Sequence, residues 1–152
     1  MKRYLILISL LFLLTALMAG CAAPAPPPAP PPVVSHGGPV TDYISLIDNL
    51  RAADATVEPA GDISQPFFSV KGNAITVNGG DVQVFEYADA SAADAEAALI
   101  SPDGSSIGTT MVSWIAAPHF YKTGKLIVLY IGDNASVMNT LEGVLGPQFA
   151  GR

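Results

Sequence analysis

Cysteine occurs once in this chain of 152 residues, at Cys21, and histidine twice, at His36 and His119. One thiol per chain excludes an internal disulfide framework and a thiolate zinc cluster. Positive charge is also scarce, with 7 Lys and Arg against 13 Asp and Glu. Two of the basic residues, Lys2 and Arg3, fall in the first 20 positions, which hold no acid, so the remainder has five basic residues against 13 acidic ones and a net charge of about −8. Nucleic acid and anionic lipid surfaces are bound through clustered Lys and Arg that neutralise phosphates. No such cluster exists, so no nucleic-acid partner is expected.

The usual catalytic spellings are missing as well. Nucleophilic catalysis of the Ser-His-Asp kind needs a base, and past the stalk His119 is the one histidine, with no serine in a Gly-x-Ser-x-Gly setting. Asp103-Gly104-Ser105-Ser106 lacks the alternating acids of a calcium loop. Gly124-Lys125-Leu126 lacks the upstream glycine and the following Ser or Thr of a phosphate loop. The acids are numerous enough to supply paired carboxylates, but no motif singles out a pair. The expectation is no metal, no cofactor and no catalytic residue.

What is present begins with an address. Lys2 and Arg3 precede an apolar run from Leu5 to Ala19, which at about 15 residues is short for a bilayer-spanning helix and reads as an export signal. Its end, Leu17-Met18-Ala19-Gly20-Cys21, resembles the lipobox of bacterial lipoproteins, in which an aliphatic residue and two small residues precede the cysteine that receives the lipid. Met18 stands where leucine is commoner in that family; Ala19, Gly20 and Cys21 fit. The resemblance implies that Cys21 becomes the lipidated mature N-terminus on the extracytoplasmic face of a bacterial membrane. Acyl methylenes contribute roughly 0.8 kcal/mol each, so two or three chains on one cysteine anchor stably.

Eight prolines follow between Ala22 and Val40, at positions 24, 26, 27, 28, 30, 31, 32 and 39. Such a segment has neither the N–H groups for a helix ladder nor the side chains for a core. An extended polyproline stalk is expected, reaching roughly 60 Å at about 3.1 Å per residue. A ligand for a proline-recognising domain or a spacer through a cell-wall layer would use the same geometry. His36 is read as a solvated stalk residue. The organisation is thus 1–20 signal peptide, 21–40 lipidated cysteine and stalk, and 41–152 one domain, and it resembles small bacterial lipoproteins throughout. For the domain itself the resemblance brings no activity.

Within the domain, Tyr43, Leu46, Ile47 and Leu50 have helical spacing, with Thr41 as N-cap, which predicts a helix over about 42–53. Two strands, 74–77 and 82–87, flank Asn78-Gly79, a pair suited to a tight hairpin. An alanine-rich helix follows from Asp89 to Ile100, its small side chains implying close approach to the layer beneath. Residues 111–116 and 126–131 read as strands, the second a central one because both faces are apolar. A closing helix carries Met138, Leu141, Val144 and Leu145 and stops at Gly146-Pro147. An offset of 44 residues superposes Gly80, Val82, Val84, Phe85 and Asp89 on Gly124, Leu126, Val128, Leu129 and Asp133, which suggests two strand-strand-helix copies. The expected class is α+β: an antiparallel sheet of about five or six strands, helices on one face, and two strand-strand-helix repeats after an N-terminal helix. The second face needs a cover, for which a dimer partner, a ligand or residues 56–63 are the candidates.

The remaining candidate surface is aromatic. Trp114, His119, Phe120 and Tyr121 surround Pro118, a residue that marks an edge or loop where side chains reach solvent. His119 is expected at the domain surface. Filling the core is the competing role for these rings. The functional expectation is a membrane-anchored, non-catalytic binding module for a protein partner or a small extracytoplasmic ligand, compatible with a homo-oligomer. The alternative is a cell-surface hydrolase or an envelope assembly accessory protein.

Overall fold

The structure, a computed structural model, describes residues 38–152. The signal segment, Cys21 and the stalk as far as Gly37 lie outside the described residues. The elements in chain order are α1 (Tyr43–Ala52), β1 (Val57–Ile63), β2 (Gly72–Val77), β3 (Gly80–Glu86), α2 (Ala90–Ala97), β4 (Ser106–Ile107), β5 (Thr110–Met111), β6 (Pro118–Thr123), β7 (Leu126–Ile131), α3 (Ala135–Leu145) and β8 (Ala150–Gly151). The class is α+β, as the sequence leads one to expect.

Helix α1 buries Leu46, Ile47 and Leu50. Its N-cap is Asp42 rather than Thr41. The Asp42 carboxylate accepts the Ser45 N–H at 2.8 Å and Ser45 Oγ accepts the Asp42 N–H at 2.9 Å. This reciprocal pair satisfies two donors that the first turn leaves open.

Six strands form one antiparallel sheet in the order β1-β2-β3-β7-β6-β8. The β2–β3 turn places Asn78 and Gly79 at φ 49° and 80°, the pair of positive angles that a type I′ reversal requires. Asn78 also fastens the start of β1, accepting the Thr56 N–H at 3.0 Å and donating its own N–H to Thr56 O at 2.9 Å. Strand β7 lies between β3 and β6, and Leu126, Ile127, Val128 and Leu129 are all fully buried. That is the central strand its uniformly apolar sequence predicts.

Side-chain alternation divides the core in two. Val82, Val84, Leu126, Val128 and Tyr130 face α1 and α3, meeting Leu46, Leu50, Val137 and Leu141. Phe85, Ile127, Leu129 and Phe120 face the other way, meeting Ala93 and Ala97 of α2, Phe68, Ile100, Ile107 and Ala150. Helices therefore cover both faces, which corrects the expectation of one. The cause is the central pair of strands, whose inner residues are large and apolar on each side and must be covered on each side. The alanine face of α2 lets it lie close to the sheet.

Other expectations are also revised. Residues 56–63 do not cover a face; most of them form edge strand β1, whose Pro59, bulge between Pro59 and Gly61, and exposed Glu58 and Asp62 discourage further pairing. Of residues 111–116 only Met111 is in a strand, paired through β4–β5, and the rest is irregular. No free edge is available to it, because the chain is crossing a sheet face at that point. The two strand-strand-helix units exist as β2-β3-α2 and β6-β7-α3, with turns at Asn78-Gly79 and Gly124-Lys125. Their helices lie on opposite faces, so the echo extends to the hairpins and not to the layers.

Candidate interaction surface

The four aromatic and imidazole residues singled out by sequence do not share a surface. Phe120 and Tyr121 are successive residues of β6 and are both buried, Phe120 against α2's side of the sheet and Tyr121 against α3's side. The period of two in a strand sends them to opposite layers. Burial raises the Tyr121 phenol above its ordinary value, with Glu142 and then Tyr130 adding to the effect.

His119 is interior rather than at the surface, with 5% of its area exposed. Its Nε2 lies 2.9 Å from Gly132 O and its Nδ1 2.7 Å from the side-chain oxygen of Gln148, while its ring stacks on Tyr130 at 5.9 Å. Both nitrogens are engaged, so neither is open to a substrate. β8 pairs with β6 at this residue and closes the edge that Pro118 had been taken to expose.

Trp114 is half-buried, and its Nε1–H donates to Gly104 O at 2.7 Å. The indole meets Phe67 and Phe120 edge-on at 5.7 and 5.8 Å. Gly104 itself has φ +70°, and a Cβ there would come within 3.0 Å of Phe120 and Pro118. The turn before it is fixed by Asp103, whose carboxylate accepts from the Ser105 N–H at 3.0 Å, Ser105 Oγ at 2.8 Å and Ser101 Oγ at 2.9 Å. These donors, the backbone N–H first, hold the Asp103 pKa down to about 2. Local chemistry thus makes a rigid foot from turn, glycine and indole.

On that foot stand the most exposed apolar side chains among the described residues. Met111 is 87% exposed and Ile115 is 98% exposed. Gly108 N–H donates to Leu99 O at 2.8 Å, bringing the exposed Leu99 beside the same hairpin, and Phe149 reaches toward Phe120 from β8. Four of the five exposed large apolar residues thus belong to segments on α2's side of the sheet or at its edge; the fifth, Ile44 at 48%, is on α1. Residues 104–117 contain no Asp, Glu, Lys, Arg or His. Sequence reading missed Met111 and Ile115 by treating 111–116 as a strand. The signal was available: Gly104, Ser105, Ser106, Gly108, Thr109 and Thr110 are turn and loop residues that leave no room for a long strand.

Polar groups do not converge elsewhere. Asp48 is 2% exposed and its Oδ2 has no partner among the described residues. It lines an open hollow of about 430 Å³ with Asp42, Ser45 and Asn49, but the Asn49 amide is already spent on Gly38 O and Ser45 O. Tyr87 Oη is likewise buried without a partner among the described residues, and desolvation, followed by the nearby Glu96, raises its pKa. Among the described residues no three His, Cys, Asp or Glu side chains come together as a metal ligand set, and no helix is long and apolar enough to cross a membrane.

No known protein family, no curated protein and no solved structure matches the chain. The surface around residues 104–117 is accordingly argued from its own chemistry.

Proposed function

We propose that the chain is a lipoprotein held at the extracytoplasmic face of a bacterial membrane through Cys21, and that its folded domain is a non-catalytic interaction module acting through residues 104–117. One observation carries the module reading: an uncharged segment on an acidic protein holds Met111 and Ile115 almost wholly in water. Single exposed apolar residues are ordinary. Here two stand four positions apart on a braced segment, with Leu99 beside the same hairpin, and neither contributes to either core layer. Removing both side chains from water would stabilise a contact by about 1.5–3 kcal/mol each. His119 and the buried rings of β6 have structural work to do, and this also favours contact over catalysis.

The test is a photo-reactive amino acid placed at position 115 or at position 44 of the lipidated protein in whole cells. Adducts at 115, to protein or lipid, well above those at 44 are expected. Equally sparse labelling at both would reject the module. The anchor is tested separately with a clickable fatty acid, which should label the wild type and not Cys21→Ala.

A further inference from the structure

Resting on the module reading and naming its partner, we infer that residues 104–117 enter the interfacial layer of a lipid bilayer, with Met111 and Ile115 as the inserting side chains. The first ground is charge. The segment is an uncharged window in a chain whose acids outnumber its bases, and the carboxylate at its foot, Asp103, has the Arg152 guanidinium 4.0 Å away. Acids farther away are screened over roughly 8–10 Å at physiological salt.

The second ground is shape. Met111 and Ile115 project from narrow, irregular backbone, with Thr109, Thr110 and Ser113 exposed between and beside them. A specific protein interface commonly buries about 1,200–2,000 Å² over a broad complementary face with a pocketed anchor. A fluid bilayer needs no complementary face and closes around a projecting tip.

The third ground is the foot. Trp114, hydrogen-bonded to Gly104 and held between Phe67 and Phe120, fixes the base of the tip. Ser, Thr and Trp around a small apolar tip suit the headgroup region, where one end of each group is wet. Two side chains would hold a free domain only weakly. For a domain already tethered by acyl chains they suffice, because tethering raises the effective concentration toward the millimolar range.

Trp114 is the one tryptophan in the chain and serves as the probe. The full lipidated protein is reconstituted into neutral phosphatidylcholine vesicles with bromine on the upper acyl carbons. Trp114 emission should fall roughly twofold relative to unbrominated vesicles, as for an indole at the interface. The double variant Met111→Ser/Ile115→Ser should lose that quenching while keeping its emission maximum, which reports an intact Trp114 environment. Adding anionic lipid should weaken the quenching; an increase would contradict insertion through an uncharged window. Unquenched wild-type emission overturns the inference. If the cross-linker at 115 then captures protein, the module reading stands without its lipid partner; if it captures nothing, both fall.

Discussion

The two faces of the sheet are closed by different means. One is covered by α1 and α3, whose Leu46, Leu50, Val137 and Leu141 are fully buried. The other is covered by the short, alanine-lined α2 and by irregular chain carrying Phe68, Ile100, Ile107 and Trp114. A helix presents one stripe inward and leaves little apolar surface outside. Irregular chain has no such period, so anchors such as Trp114 and projections such as Ile115 can be neighbours. The difference shows where this fold has room for a contact surface without loosening its core.

The comparison would break first if the second face were merely loose cover. Phe120→Ala should destabilise by about 3–5 kcal/mol, as much as or more than Leu46→Ala at about 2–5 kcal/mol, in urea unfolding. A cost for Phe120→Ala far below that of Leu46→Ala would mean that the α2 side is not a core layer. Gly104→Ala comes next, at about 1–3 kcal/mol, because positive φ and the close Phe120 and Pro118 both oppose a Cβ. It should also shift Trp114 emission to the red, whereas an equivalent change in the helical layer should leave that emission alone.

Acid sharpens the contrast further. The folded pKa of Asp103, about 2, lies below its ordinary 3.8. Its contribution is therefore complete above 3.8 and is lost as pH falls through about 2. In a pH titration of Trp114 emission the turn should hold down to about pH 3 and loosen near 2, and Asp103→Asn should remove that step. The smallest effect belongs to Met111→Ser/Ile115→Ser, which should change unfolding free energy by no more than about 0.5 kcal/mol per site. A larger loss would make these residues part of the fold rather than its contact surface.

Much of the scaffold was legible in the sequence because its signals are local. Asn78-Gly79 marked a hairpin, the 126–131 run marked a central strand, and Gly146 closed α3 with φ 86°. The helix placement was not legible, since a strand apolar on both faces demands two covers without saying which helix supplies which. His119 was misplaced because its burial depends on β8 and Gln148, which are distant in sequence. Phe120 and Tyr121 were grouped by adjacency, although alternation along β6 separates them. The apolar tips escaped because hydrophobic residues in irregular chain look like a strand until the glycines and hydroxyl residues around them are weighed.

The most direct measurement is a nitroxide attached at Ile115→Cys in the lipidated protein on bilayers, where acylation leaves no other thiol to label. Accessibility to dissolved oxygen above that to a polar nickel complex is predicted at 115, with the reverse for a label at Ile44→Cys. Water-like accessibility at both positions would contradict the account.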